Sequence, residues 1–105
     1  MNIKYPDYQN CIANLSCSIL KYYGITPPNS TLSAADMLLD RKYKNVVVIL
    51  LDAMGTSSVN AHLKEDGFFR RNMICSYSSV FPPTTVAATT AIDSALFQNQ
   101  SAWLG

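Results

Sequence analysis

The sequence predicts an α/β fold in which helices cover a mostly parallel sheet. The main observation is the stretch 45–51, NVVVILL, which is apolar after its first residue and β-branched in its first half. Strands of this composition are typical of parallel sheets that are buried on both faces. A second observation is the order of the elements, which reads helix, helix, strand, helix, strand, helix and is typical of an α/β fold.

The first helix is predicted between Asp7 and Gly24. Apolar residues recur there at steps of three, four, one and three, which indicates one buried helical face. Asp7 or Asn10 is expected to cap the start of this helix, and Gly24 is expected to end it. The residues of the predicted face are Ile12, Leu15, Ile19, Leu20 and Tyr23.

The remaining elements follow from shorter patterns. A second helix is expected over residues 33–39 and a third over 56–63, after a tight turn that Gly55 permits. A second strand is expected over residues 73–81 and ends at two prolines. An Ala- and Thr-rich helix then covers residues 84–95, and its low intrinsic propensity means that tertiary packing must stabilise it.

Composition indicates a folded, nearly neutral chain. Its 105 residues are 49% hydrophobic and 14% charged, the opposite of the balance found in disordered chains. A net charge of +1 and scattered basic residues argue against nucleic acid as a partner.

Cysteine use and the N-terminus predict a cytoplasmic protein. Three cysteines without metal-type spacing do not form a disulfide framework, and Cys75 is expected to be a small core residue. The N-terminus lacks the apolar region of a signal peptide. The longest apolar run, Val46–Leu51, is far shorter than the roughly 20 residues that span a bilayer, so no membrane partner is expected.

The predicted domain organisation is an N-terminal helical segment, 1–44, followed by the first strands and helices of an incomplete α/β domain, 45–105. Two parallel strands cannot form a sheet that is buried on both sides. The chain also ends at Trp103-Leu104-Gly105 without a closing element. We therefore expect a fragment of a longer protein, with the remainder of that chain as its partner.

Asp52 is the first candidate site residue, because it directly follows the first predicted strand. Ligands of open α/β sheets gather just beyond the carboxyl ends of strands. A carboxylate at this position can coordinate a divalent cation. The alternative is that Asp52 only caps the next helix through its backbone N–H groups.

Thr84 and Thr85 are the second candidates, at the point where the second strand passes into a helix. A hydroxyl at a helix N-terminus lies beside unpaired N–H groups, which favour a nucleophile that attacks phosphorus. The alternative is that either threonine is only an N-cap. If the two strands are parallel neighbours, a metal ion held by Asp52 could ionise the threonine hydroxyl.

Three motifs in the stretch 45–105 resemble one known family. They are VVVILLDAMG at 46–55, SSVFPPTTVAATTAI at 78–92 and SAWLG at 101–105. In order and spacing they are similar to the alkaline phosphatase superfamily, in its branch of nucleotide pyrophosphatases and phosphodiesterases. The resemblance implies a three-layer sandwich with a mostly parallel sheet. It also implies a metal-dependent phosphoric ester hydrolase with a small phosphate-ester substrate and two divalent metal ions, usually zinc.

The resemblance also implies roles for single residues. Asp52 ligates one metal, and a helix-start hydroxyl is both nucleophile and metal ligand. In the family this hydroxyl lies ten residues before a glycine that ends the helix. Counting back from Trp103–Gly105 places Ala95 where the family has this glycine. The residue ten positions before Ala95 is Thr85, and Thr84 is the alternative. The chain departs from the family at Val80, where threonine is common in relatives, and at Ala95 and Ala102, where glycine is common.

The leading functional hypothesis is hydrolysis of a phosphate ester through a threonine nucleophile. The 105-residue chain is itself expected to be inactive, because the family's further Asp and His ligands are missing and His62 matches no ligand position. The alternatives are a non-catalytic small α/β binding module, or a metal-dependent phosphomutase or sulfatase of the same superfamily. The sulfatase is disfavoured because no Cys or Ser is followed by x-Pro-x-Arg.

Overall fold

The computed structural model describes residues 5–102, which form six helices. Contacts divide the chain into two units: the core unit, residues 5–43 and 77–102, and the central unit, residues 44–76. None of these helices is long and apolar enough to cross a membrane. The helices are α1 (Ile12–Tyr22), α2 (Ser33–Leu38), α3 (Thr56–His62), α4 (Phe68–Arg71), α5 (Thr85–Ser94) and α6 (Gln98–Ser101).

The predicted α/β fold is wrong for this chain. Residues 5–102 form no strand and no sheet, so neither a mostly parallel sheet nor an alkaline phosphatase-like three-layer sandwich is present among them. Residues 45–51 have no partner strand, and residues 73–81 contribute one isolated parallel bridge, between Cys11 and Ser78. The physical reason is that a strand hydrogen-bonds to another strand, so β-branched composition cannot complete a sheet by itself.

Helix α1 ends at Tyr22, and Gly24 terminates it as predicted. This glycine has φ 77°, the left-handed conformation that glycine adopts without steric cost. Its N–H donates to the carbonyl of Lys21 at 3.0 Å, and the N–H of Ile25 donates to the carbonyl of Leu20 at 2.9 Å. The two bonds satisfy carbonyls that the last helical turn leaves unpaired.

The start of α1 differs from the prediction. Neither Asp7 nor Asn10 is its N-cap, which is Cys11. The side chain of Asn14 folds back and accepts the N–H of Cys11 at 2.9 Å, while its own amide donates to the carbonyl of Ser30 at 2.8 Å. Helix α1 therefore starts at a buried cysteine whose N–H is paired by a buried amide, rather than at Asp7 or Asn10.

The buried face of α1 is also rotated from the predicted face. Of the residues predicted to be buried, only Ile12 is, and Tyr23 is 57% exposed. Small side chains face α5 instead, and Ser16 Oγ donates to the carbonyl of Ile92 at 2.6 Å, which shows how closely the two helices approach. The buried residues of α1 are Ile12, Ala13, Asn14, Cys17 and Ser18.

The hydrophobic cluster of the core unit forms where α1, α5 and the chain before α5 meet. Val80, at 1% exposure, is the largest of its fully buried side chains. Most other members are no larger than cysteine, so close approach of backbones replaces large side chains in this core. The buried members are Cys11, Ile12, Ala13, Val80, Ala87 and Ala91.

Three further helix predictions are confirmed within a residue or two. The ranges 33–39, 56–63 and 84–95 correspond to α2, α3 and α5. Helices α4 and α6, of four residues each, were not predicted.

The central unit contains no buried residue among residues 44–76. Val47 is 79% exposed, Ile49 76% and Phe68 74%. The turn before α3 also differs from the prediction: Ala53, with φ 56°, takes the left-handed conformation, whereas Gly55 is the N-cap of α3 with φ −79°. Local structure forms here without a core to stabilise it.

Candidate functional site

The start of α5 assigns different positions to the two candidate threonines. Thr84 is the N-cap, with extended φ and ψ of −89° and 154°. Its hydroxyl oxygen accepts the N–H of Ala87 at 3.2 Å, and its carbonyl accepts the N–H of Ala88 at 3.0 Å. The capping interpretation therefore applies to Thr84, whose side chain is engaged in starting the helix.

Thr85 is the first residue of α5, and its side chain, unlike that of Thr84, makes no hydrogen bond with the described part of the chain. Its backbone carbonyl accepts the hydroxyl of Thr89 at 2.7 Å, but its own hydroxyl has no hydrogen-bond partner among residues 5–102. The residue is exposed. The N–H groups of Thr85 and Val86 likewise have no partner within that range. A free hydroxyl thus lies at the positive end of the helix dipole, where phosphate oxygens are favoured.

Asp52 lies in the central unit and is exposed. One carboxylate oxygen, Oδ1, accepts the N–H of the adjacent Ala53 at 2.8 Å. Helix α3 starts later, with Gly55 as its N-cap, so Asp52 does not cap that helix. Oδ2 makes no hydrogen bond with the described residues, which leaves one oxygen that can bind a cation.

The two residues fit only part of a zinc site. Asp52 and Thr85 belong to different units, and each can supply one oxygen ligand. In the described part of the chain, no three or more His, Cys, Asp or Glu side chains are grouped so that they could hold a metal ion. Zinc sites use three or four protein ligands. The binding of two zinc ions, held in part by Asp52 and Thr85, is therefore still a prediction.

The end of α5 includes Ala95, the residue from which the ten-residue spacing to Thr85 was counted. The helix ends at Ser94, and Ala95 follows in the left-handed conformation, with φ 59° and ψ 21°. Ala102 has the same conformation, with φ 58°. Left-handed residues after helices are commonly glycine, so both alanines occupy backbone positions that favour glycine.

Two side chains of the core unit hold the carbonyl of Ala95. It accepts the amide of Asn29 at 2.9 Å and lies 3.6 Å from the thiol of Cys17. Both contacts join residues far apart in the chain, so tertiary structure stabilises the end of α5.

Sequence reasoning missed a cleft of about 520 Å³ in the core unit. Tyr8 and Phe97 form one side, with ring centroids 4.9 Å apart and ring planes 70° apart. Phe81 is 65% exposed and belongs to the F-P-P-T-T motif, which was the only sequence motif that included a residue of this cleft. No sequence pattern relates Tyr8 to a residue so distant in the chain. The lining residues are Tyr8, Phe81, Phe97, Gln98 and Asn99.

The three cysteines are free thiols in two environments. Cys11 and Cys17 are buried, whereas Cys75 is exposed, so the expectation that Cys75 is a core residue is wrong. Burial raises the pKa of both Cys11 and Cys17, and hydrogen bonds from backbone N–H groups offset part of that rise. These two thiols are therefore protonated and unreactive near neutral pH.

Comparison of the chain with protein-family models, with curated proteins and with solved structures found no match. The resemblance to the alkaline phosphatase superfamily therefore depends on the three motifs at 46–55, 78–92 and 101–105. Trp103–Gly105, from which the position of Thr85 was counted, lies outside the described residues. Membership of that superfamily stays a prediction.

Proposed function

We propose that this chain is part of a metal-dependent phosphoric ester hydrolase of the phosphodiesterase or nucleotide pyrophosphatase type. Thr85 is its nucleophile, and Asp52 is one of its metal ligands. The observation that carries the proposal is the difference between two adjacent threonines. The Thr84 hydroxyl accepts a helix N–H at 3.2 Å, whereas the Thr85 hydroxyl is exposed and has no partner among residues 5–102.

The chemistry follows from the position of Thr85. Its Oγ attacks phosphorus, the bond between phosphorus and the leaving oxygen breaks, and the hydroxyl proton is released while the leaving alcohol takes one up. Water then cleaves the bond between phosphorus and the threonine oxygen, which restores the hydroxyl and releases phosphate from a monoester substrate or a phosphate monoester from a diester. The unpaired N–H groups of Thr85 and Val86 favour the phosphoryl oxygens during both steps. Bound metal ions supply Lewis acidity and lower the pKa of the hydroxyl.

The remaining ligands have to come from outside the described residues. Asp52 and Thr85 supply two ligands, and zinc sites use three or four. The proposal therefore concerns the complete gene product that carries this sequence, and we expect no hydrolysis by the 105-residue chain alone. The cleft between Tyr8, Phe81 and Phe97 offers an apolar surface, in the same unit as Thr85, for the organic group of an ester.

The test compares the two threonines in the complete gene product. Hydrolysis of p-nitrophenyl phosphate and bis(p-nitrophenyl) phosphate is measured with and without added zinc. We expect Thr85→Ala to lower kcat by about 10³-fold or more, because the attacking oxygen is removed. Thr84→Ala removes only a cap, so it costs about 1 kcal/mol of stability and leaves most of the activity.

Thr89→Ala is the matched control, because it removes a hydroxyl from the same helix that donates to the Thr85 carbonyl. We expect this variant to remain active. Full activity in Thr85→Ala, or loss of activity in Thr84→Ala alone, contradicts the proposed roles. An inactive wild-type gene product in the presence of zinc overturns the hydrolase itself.

A further inference from the structure

The most exposed apolar stretch of the central unit is the one predicted to be a buried strand. Val47 is 79% exposed, Ile49 76%, and Leu51 46%. No backbone hydrogen bond within residues 5–102 involves Val46–Leu51, and the stretch belongs to no helix or strand. It therefore presents both apolar side chains and unpaired N–H and C=O groups.

Such a stretch has the chemistry of an unpaired sheet edge. Its six residues are apolar and uncharged and include neither proline nor glycine. Exposed segments of this kind pair with another extended chain, because pairing satisfies the backbone and removes apolar surface from water. The charges at its two ends indicate which chain that is.

Lys44 and Asp52 flank the stretch and lie eight residues apart. Side chains of an extended strand alternate, so two residues an even number apart project from the same face. If two copies pair antiparallel about Val48, Lys44 of each copy lies directly opposite Asp52 of the other, and Val46 lies opposite Leu50. A parallel, in-register pair instead stacks lysine on lysine and aspartate on aspartate, and like charges directly opposite each other are destabilising.

We propose that residues 44–52 pair with the same residues of a second copy of this chain, antiparallel and centred on Val48. We call these residues the pairing segment. Two Lys44–Asp52 ion pairs close the ends, and the apolar stretch between them forms the contact. This inference goes beyond the proposed hydrolase and concerns the chain without bound metal, in which the Asp52 carboxylate is not coordinated. Its readout is the association of the chain, so it is tested separately from hydrolysis.

The first test is sedimentation velocity of the 105-residue chain over a series of concentrations. We expect wild-type chains to associate as concentration rises. Val48→Lys places two ammonium groups opposite each other at the centre of the pair, and the dissociation constant should rise roughly tenfold or more. Met37→Lys is the matched control, because Met37 is 80% exposed but lies in α2, outside the pairing segment. It should associate as the wild type does.

Two outcomes of this test overturn the proposal. One is a wild-type chain that stays monomeric at every soluble concentration. The other is association that Val48→Lys leaves unchanged, or that Met37→Lys weakens as much, because a different surface then forms the contact. Circular dichroism of each variant checks that the helices of the core unit are retained.

The second test is a charge-reversal cycle that fixes the register. Lys44→Asp and Asp52→Lys each replace two attractive cross-strand pairs by two repulsive ones, so each should weaken association roughly fivefold to thirtyfold. The double variant restores opposite charges in the antiparallel register and should recover wild-type association. A double variant as weak as the single variants overturns this register, as do single variants that associate like the wild type.

Discussion

Val80 and Val47 are both valines in stretches with strand-like composition, yet Val80 is 1% exposed and Val47 is 79% exposed. The chain beside Val80 has a partner: the N–H of Ser78 donates to the carbonyl of Asn10 at 2.9 Å, and the N–H of Ile12 donates to the carbonyl of Ser78 at 3.0 Å. Val47 has no such neighbour among residues 5–102. Burial therefore follows from an available partner surface rather than from local hydrophobicity.

The helices of the two units differ in the same way. In the core unit, α1 packs against α5 through small side chains, so the two backbones approach closely. In the central unit, α3 and α4 have seven and four residues and bury none of them. Helices this short are marginal in water without tertiary packing. The central unit consequently has local structure, whereas the core unit also has a core.

The largest expected difference between the units is the reactivity of their thiols. Cys75 is exposed, whereas Cys11 and Cys17 are buried and have raised pKa values. A chromogenic thiol reagent should label Cys75 faster than either buried cysteine by about 10³-fold or more, because the core unit must open before they react. Mass spectrometry assigns the labelled residue, and Cys75→Ser should remove the fast phase. Equal rates for all three contradict a stable core unit.

The next effect is on stability, measured with one substitution placed in each unit. Val80→Asp buries an unpaired carboxylate and should lower the free energy of unfolding by about 3–5 kcal/mol, or prevent folding. Val47→Asp changes an exposed side chain and should stay within about 0.5 kcal/mol of the wild type. Urea unfolding followed by circular dichroism measures both, at concentrations where the chain is monomeric. A similar loss of unfolding free energy in the two variants contradicts the conclusion that only the core unit has a buried core.

The smallest expected effect concerns the left-handed alanines. Ala95→Gly relieves backbone strain of about 1–2 kcal/mol. Ala95 is 2% exposed, so the loss of its buried methyl offsets about 0.8 kcal/mol of that gain. A net stabilisation of about 0.5 kcal/mol is expected in the same urea experiment.

Ala53→Gly is the matched control in the central unit, where Ala53 has φ 56°. It should leave the unfolding of the core unit unchanged. Ala95→Val should destabilise the core unit instead, because a β-branched side chain tolerates left-handed backbone poorly. If Ala95→Gly is clearly destabilising, the end of α5 is not strained, and the glycine-like role of this position is wrong.

Part of the candidate site could be predicted from local motifs. The helix that follows the F-P-P-T-T motif was readable from the sequence, whereas the ten-residue spacing that selected Thr85 was implied by the family resemblance. The assignment of the cap to Thr84 was not, because either threonine suits an N-cap until the backbone conformation is known. The cleft between Tyr8 and Phe97 was missed, since no sequence pattern brings two such distant residues together.

The elements whose hydrogen bonds are local follow from the amino-acid sequence alone. The helices α1, α3 and α5 hydrogen-bond their backbone within a few residues, so local sequence patterns predict where they form. Gly24 terminates α1, whereas tertiary contacts stabilise the end of α5. Tertiary contacts select the face of α1 that is buried, place the Asn14 side chain where it accepts the N–H of the N-cap Cys11, and leave residues 45–51 without a partner strand. Those outcomes depend on partners distant in the chain, and a strand without a partner strand has nothing to hydrogen-bond, however apolar it is.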